Sequence, residues 1–224
     1  MSGLYAYPKS CAFGRVVSKA KLFAAARASA SLREKYIEQI SQIRWAYKLY
    51  PEGLNLVGSK SVPEIQIFAI ALKTPEIDKA ILSHIDKAVT YPIIFEVSFA
   101  GRVKVIAAYK RPSDAGRGHW ACSDYFETNW QDAHTPRAPL PIALNLEGLY
   151  SQLIRSLMPY PAREGENLQA HADRIGEIKI KERACEQLKS KVSKEKQFNR
   201  RVAFNADLKA SERELEILKG EKDA

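Results

Sequence analysis

The amino-acid sequence predicts an α/β (α+β) fold, with a mixed four-stranded sheet, flanking helices and a C-terminal long helix or helical hairpin. Residues 64–99 show a strand, a helix and a second strand with short joints, which is typical of a crossover between parallel strands. Ala100-Gly101 then separates two apolar runs, as the turn of an antiparallel hairpin does. From Glu166 onward proline is absent and apolar residues stand three or four positions apart, which indicates long helices.

The first 30 residues are expected to form a basic N-terminal arm. Residues 1–17 have no clear periodicity, so we expect an extended or disordered lead. Residues 18–30 are rich in alanine and therefore helix-prone, and Lys19, Lys21 and Arg27 give this helix a positive surface.

A new helix is predicted to begin at a capping box formed by Ser31 and Glu34. Apolar residues continue along one face of that helix: Tyr36, Ile37, Ile40, Ile43 and Tyr47. Pro51 and Gly53 are expected to end it. The pattern therefore predicts one continuous helix, followed by a loop that leads into the central strand.

The central strand is predicted over residues 64–73, where the chain is almost entirely apolar. A helix should follow, with Thr74 as N-cap and Pro75 at its first position. One face of this helix carries apolar residues at helical spacing: Ile77, Ile81, Ile85 and Ala88. The second and third strands are predicted over Ile93–Phe99 and Val103–Tyr109, so that the crossover and the hairpin share one sheet.

The rest of the core is predicted to contain a basic surface loop over residues 110–118 and a fourth strand over His119–Phe126. After a proline-bearing linker, Asn145 is expected to cap a short helix that Pro159 stops. We therefore divide the chain into the arm 1–30, an α/β core 31–163 and a charged helical or coiled-coil arm 164–224.

The net charge of +9 and the pI near 9.4 favour binding to polyanions or to an acidic protein. No apolar run approaches the roughly 20 residues that cross a bilayer, so no membrane contact is predicted. Three widely spaced cysteines argue against a disulfide framework. With no signal-peptide pattern at the N-terminus, we expect a cytoplasmic protein.

Neither a metal nor a cofactor is predicted. The four histidines lie in different elements, no pair has ligand spacing, and the cysteines form no Cys-x-x-Cys pair. The glycines of Gly116-Arg-Gly118 are too few for a dinucleotide fingerprint, and no Gly-Lys-Ser/Thr sequence occurs.

A divergent Mg²⁺-dependent nuclease is the alternative enzymatic hypothesis. Such an enzyme needs clustered carboxylates, usually with a lysine, to hold the metal and activate water. Glu64, Glu96 and Lys73 are the candidates near the sheet. Because Glu96 alternates with Phe95 and Val97 on its strand, a solvated or helix-covered acid explains it without catalysis.

Basic side chains outside the sheet are the candidates for contact with nucleic acid. Those in the loop after the hairpin and in the C-terminal arm are Lys110, Arg111, Arg117, Lys189, Lys191, Lys194, Lys196, Arg200 and Arg201. Aromatic residues near them are sparse, which favours contact with the phosphate backbone over base stacking. A charged, solvated helix that keeps the protein soluble would have the same composition.

Several stretches resemble the bacterial "domain of unknown function 4391" family from about the first capped helix to the tail. They are Trp45-Ala-Tyr-Lys-Leu, Glu64-Ile-Gln-Ile-Phe, Ile85-Asp-Lys-Ala-Val-Thr-Tyr-Pro-Ile-Ile-Phe, Ala108-Tyr-Lys, Leu144-Asn-Leu-Glu-Gly-Leu-Tyr and Glu195-Lys-Gln-Phe-Asn-Arg. The resemblance implies a prokaryotic protein encoded beside helicases and DNA methyltransferases in restriction or anti-phage defence loci, and it supplies no catalytic residues.

Residues 1–30 lie outside this resemblance. With the basic surfaces, the resemblance leads us to expect a non-enzymatic accessory or scaffold subunit. Its partners would be the helicase or DNA methyltransferase subunits of the same locus, with DNA bound through backbone contacts.

Overall fold

The computed structural model describes residues 3–113 and 120–220, which divide into two compact units at Met158 and Pro159. The strands are β1 Tyr5–Ala6, β2 Ala12–Val16, β3 Ile40–Leu49, β4 Ile65–Leu72, β5 Ile93–Phe99, β6 Arg102–Pro112, β7 Trp120–Glu127, β8 Gln131–Asp132 and β9 Ala138–Pro139. The helices are α1 Lys19–Ala25, α2 Ala30–Gln39, α3 Pro51–Leu54, α4 Lys79–Ala88, α5 Leu146–Arg155, α6 Leu168–Lys194 and α7 Phe198–Lys219.

The predicted mixed α/β class is confirmed, but the main sheet of the first unit has seven strands instead of four. Its order is β2-β3-β4-β5-β6-β7, with β8 pairing β6 beside β7. Only β4 and β5 run parallel, because α4 carries the chain across between them, and Ala69 of β4 lies beside Glu96 of β5. The predicted crossover and hairpin therefore form the centre of the sheet.

Both faces of the sheet are covered. One face packs against α2 and α4 in an apolar core that includes Tyr36, Phe68, Ile85 and Phe95. On the other side, α5 buries Leu149 and Leu153 among other residues, and the hydroxyl of its Tyr150 donates to the carbonyl of Ala108 in β6 at 3.1 Å. A sheet covered on both faces explains why β4 and β5 are almost continuously apolar.

The prediction of one continuous helix that ends at Pro51 is wrong. The helix α2 ends at Gln39, and the chain continues directly as β3, which pairs with β2 on one side and β4 on the other. Bulges shift the β3–β4 register between Ile40 and Gln42 and again between Trp45 and Tyr47. A bulge adds a residue to the two-residue repeat of a strand, so Ile40 and Ile43 are both buried at a three-residue spacing that imitates a helix.

Two predicted helix starts are also displaced. Ser29, not Ser31, caps α2, since its hydroxyl accepts from the amide of Leu32 at 3.2 Å. Asp78, not Thr74, caps α4, since its carboxylate accepts from the amide of Ala80 at 2.7 Å. Lys35 forms an ion pair of 2.6 Å with Asp78, and this tertiary contact also stabilises the cap. The predicted cap at Asn145 is correct, with its side chain accepting from Gly148 at 2.7 Å.

The N-terminal segment is part of the first unit and not a lead. Its β2 pairs with β3, and β1 pairs with β9. Leu4 and Cys11 are each only 1% exposed. At Gly3, where φ is +64°, a Cβ atom would lie 2.9 Å from the side chain of Leu157, so this segment is closely packed.

The second unit is a helical hairpin, and the C-terminal tail is therefore two helices. Ion pairs between Lys189 and Glu212 and between Lys219 and Glu182 show that α6 and α7 run antiparallel. Gly176 does not interrupt α6. Across the described residues, none of the helices combines the length and apolar character that crossing a lipid bilayer demands.

Candidate functional site

The closed end of the hairpin carries a cluster of exposed positive charge. We define the hairpin tip as residues 187–206, which include the end of α6, the connection and the start of α7. Glu195 is the only acid within the hairpin tip. All six of its basic side chains are exposed: Lys189, Lys191, Lys194, Lys196, Arg200 and Arg201. The six C-terminal candidates from the sequence therefore lie together at the closed end of the hairpin.

The rest of the hairpin differs because its charges are compensated. Lys181 pairs with Glu214, and Lys219 pairs with Glu182 at 2.9 Å. At its base the guanidinium of Arg174 holds the carboxylate of Glu166 at 2.7 Å, and this hydrogen-bonded pair lowers the pKa of Glu166 to about 2. In the tip only Lys189 forms an ion pair with another described residue, Glu212 at 3.0 Å.

Two exposed apolar side chains stand among the tip cations. Phe198 is 68% exposed and Val202 is 53% exposed. The guanidinium of Arg201 lies 5.9 Å from the centre of the Phe198 ring. This surface therefore presents cations for phosphates together with the exposed ring of Phe198.

Lys110 does not belong to this exposed set, and the prediction of a surface loop beginning there is wrong. It lies on β6, is 2% exposed, and its ammonium donates to the carbonyls of Asp86 and Val89 at the C-terminal end of α4. Those carbonyls have no partner within the helix, and the helix dipole favours a cation there. Arg111 is half-buried and donates to the carbonyl of Pro112 at 3.2 Å, and Arg117 lies outside the described residues.

Asp86, which sequence reasoning missed, forms the centre of a buried polar group. Its carboxylate accepts from the hydroxyl of Tyr125, and its other oxygen lies 3.8 Å from the Lys110 ammonium. Burial raises the pKa of Asp86 to about 6, against the opposing effects of Tyr125 and Lys110. Burial likewise lowers the pKa of Lys110, while Asp86 acts in the opposite direction. A carboxylate in the last turn of a helix, on the unfavourable end of the dipole, was the available signal.

The three residues of the nuclease hypothesis are not brought together. Glu64 precedes β4 and pairs with Lys48 at 2.6 Å, while the amide of Gln66 donates to it. Glu96 stands five residues further along the parallel register, about 16 Å away at the rise of a strand and on the opposite face. Lys73 follows the far end of β4 and donates to the carbonyl of Ile37 at 2.7 Å.

Glu96 already has a structural partner. The guanidinium of Arg137 binds its carboxylate with two bonds of 2.7 Å. Among the described residues no group of three or more histidine, cysteine, aspartate or glutamate side chains is arranged to hold a metal ion. The acids near the sheet therefore serve ion pairs in this structure.

Comparison with known proteins gave one result. A family model described as "Domain of unknown function (DUF4391)" matches residues 6–215 and so includes most of the N-terminal segment, which the sequence resemblance had placed outside. A search of curated proteins and a search of solved structures each found no match. Since the family model covers nearly all of the chain, the protein belongs to the DUF4391 family.

Proposed function

We propose that this protein is a non-enzymatic accessory subunit of a bacterial restriction or anti-phage assembly, and that its hairpin tip binds DNA through the phosphate backbone. The observation that supports the proposal most directly is the cluster of six exposed cations against one acid at the closed end of the hairpin. Lysine and arginine that replace the counterions of DNA supply most of the sequence-independent binding energy.

The hairpin supports this function in two ways. Its antiparallel helices are linked by ion pairs along their length, so the cations of the tip are presented on a built scaffold. Lys191, Lys194, Lys196, Arg200 and Arg201 form no ion pair with another described residue, so they remain available for phosphates. Binding of this kind should show a strong salt dependence and little preference for sequence.

The partner proteins are proposed from the family. The helicase or DNA methyltransferase encoded in the same locus is the expected partner, and an affinity-tagged full chain should retain it from a lysate of the native host. If neither protein is retained while DNA binding is intact, the chain is a DNA-binding protein without this assembly. Cleavage of plasmid DNA by the purified chain with Mg²⁺ or Mn²⁺ would contradict the non-enzymatic role.

The DNA contact is tested with two variants of equal charge. The tip variant carries Lys191→Gln, Lys194→Gln, Lys196→Gln and Arg200→Gln. The matched control carries four changes at exposed lysines of the first unit: Lys9→Gln, Lys21→Gln, Lys60→Gln and Lys79→Gln. Both variants lower the net charge equally, so any difference between them reports where the charge lies.

The measurement is fluorescence anisotropy of a labelled 30-base-pair duplex between 50 and 200 mM salt. Six phosphate contacts give a slope of log K against log salt of about −5, or a loss of affinity of about 2 × 10³-fold over this range. With two contacts left, the tip variant should show a slope of about −2 and a loss of about tenfold. Equal slopes for the tip variant and the control would refute the proposed interface.

A further inference from the structure

A cavity of about 480 Å³ lies in the first unit beside the C-terminal end of α4. Its walls include Asp86, Lys110 and Trp120, with the hydroxyl-bearing Ser83 and Thr90 nearby and Lys87 at its exposed side. This volume is in the range of sites for small molecules, which are concave and have a few polar groups at fixed positions. All of its lining residues belong to the first unit, so a ligand bound here is independent of the function proposed for the hairpin tip.

The polar atoms of this cavity are only partly used by the protein. The ammonium of Lys110 has three N–H donors, and two of them are directed to the carbonyls of Asp86 and Val89. One oxygen of the Asp86 carboxylate accepts from Tyr125. The other oxygen, Oδ1, lies 3.8 Å from the ammonium, which is beyond hydrogen-bond distance. A buried cationic donor and a buried anionic acceptor therefore stand side by side, each with capacity left.

An aromatic wall adjoins this pair. The Lys110 ammonium lies 5.8 Å from the centre of the Trp120 ring. Indole rings stack on planar aromatic ligands, and this stacking stabilises bound bases in proteins that bind single strands. The cavity thus combines a stacking surface with an acceptor and a donor less than 4 Å apart.

We propose that this cavity binds a guanine base. The Watson–Crick edge of guanine presents two donors, N1–H and the N2 amino group, next to one acceptor, O6. The donors match the carboxylate of Asp86, O6 matches the ammonium of Lys110, and the ring stacks on Trp120. Enzymes that bind an unpaired base use the same combination of edge hydrogen bonds and aromatic stacking.

The other bases fit this pair less well. Adenine has no ring N–H on that edge, so its N1 lone pair would face the carboxylate of Asp86. Uracil and thymine have their single N3–H between two carbonyls, one of which would approach the same carboxylate. Cytosine, like adenine, offers one amino donor beside a ring nitrogen that only accepts, so neither base supplies the two adjacent donors of guanine. We therefore expect guanine to bind more tightly than each of the other bases.

The first experiment is calorimetric titration of the full chain carrying the tip variant, so that phosphate binding at the hairpin does not contribute. The ligands are GMP, AMP, CMP, UMP and inorganic phosphate. We expect GMP to bind at least about tenfold more tightly than AMP, the discrimination that a good paired contact to a base provides. Equal binding of all four nucleotides, or binding of phosphate alone, would overturn the assignment.

Two variants locate the base. Trp120→Leu should weaken GMP binding at least about fivefold through loss of stacking, whereas Trp130→Leu, the same change outside the cavity lining, should not. Asp86→Asn should remove the preference for GMP over AMP, because an amide replaces the carboxylate acceptor. Urea unfolding of each variant shows whether it is folded, and Trp120→Leu keeps the test valid if Asp86→Asn is not.

The final experiment distinguishes binding of a free nucleotide from binding of a guanine within a DNA strand. A twelve-residue oligothymidine with one central guanine is compared with the same strand lacking it, again in the tip variant. A preference for the guanine-containing strand that Trp120→Leu removes would support the site for an unpaired guanine, and tight GMP binding alone would support it for the mononucleotide. If neither ligand shows a guanine preference, the proposal is wrong.

Discussion

Replacing Lys110 with methionine tests how the buried pair contributes to the stability of the first unit. The change keeps most of the apolar stem and removes the ammonium. Two carbonyls at the end of α4 then lose their donor, and the carboxylate of Asp86, 5% exposed, is left without its cation. Removing one partner of a buried ion pair costs about 3–5 kcal/mol, so we expect a decrease of that size in the free energy of unfolding at pH 7.

Urea unfolding followed by tryptophan fluorescence is the appropriate assay, because all three tryptophans lie in the first unit. Lys87→Met, an exposed change on the same helix, is the matched control and should stay within about 0.5 kcal/mol of the wild type. The double variant Lys110→Met/Asp86→Asn should lose less than the sum of the two single losses, by about 1–3 kcal/mol. A loss below about 1 kcal/mol for Lys110→Met would show that the ammonium does not hold the helix end.

Three further outcomes are expected. Burial raises the pKa of Asp86 to about 6, so the folded state is favoured when this carboxyl is protonated. That advantage is fully present below the usual pKa near 4 and is lost as the pH rises through 6. Relative to Asp86→Asn, the free energy of unfolding of the wild type in urea should therefore fall by up to about 3 kcal/mol between pH 4 and 7. The hydrogen-bonded Arg174 lowers the pKa of Glu166 to about 2, so the contribution of this pair to stability is present above the usual pKa of about 4.5 and is lost as the pH falls toward 2. Glu166→Gln should therefore reduce the helical circular-dichroism signal that is retained on heating at pH 7, and should make that signal less sensitive to acid. Arg137→Leu, which leaves the buried carboxylate of Glu96 without its two bonds, should cost about 2–3 kcal/mol by urea unfolding, and adding Glu96→Leu should recover part of the loss.

The correctly predicted parts of the fold are those whose signals are local. Asn145 caps its helix because an Asn side chain satisfies an amide only two or three residues away. Ile81 and Ile85 are buried because a helix of any tertiary context places them on one face. The turn at Ala100-Gly101 needs left-handed backbone, with φ of +47° and +75°, and glycine accepts this conformation without strain.

The errors arise where pairing partners that are distant in the sequence decide the structure. Residues 40–49 contain enough β-branched and aromatic residues for a strand, but two bulges conceal the alternation that would identify one. The short β2 has no alternation of its own and becomes a strand by pairing with β3. Asp78 prevails over Thr74 as N-cap with the support of Lys35, 43 residues away in the sequence.

The candidate sites also divide into residues that the local sequence identifies and residues that only the folded chain brings together. The exposed cations of the hairpin tip are dense in the sequence, so their composition alone indicated a basic surface, although their gathering at one end required the turn between α6 and α7. The sequence assigns Lys110 to a loop because Pro112, Gly116 and Gly118 follow it together with several polar residues. Only the packing of α4 against β6 and β7 shows that it is buried beside Asp86.

Asp86 and Lys110 are each locally unfavourable, which bears on the purpose of the pair. An aspartate opposes the dipole at the end of α4, and a lysine interrupts an apolar strand. Natural sequences depart from such local rules mainly at functional sites. If the pair served stability alone, an apolar pair such as Asp86→Leu/Lys110→Met would be neutral or stabilising, as replacements of buried ion pairs often are. A double variant that keeps its stability but loses guanine binding would therefore show that the charges are retained for a ligand.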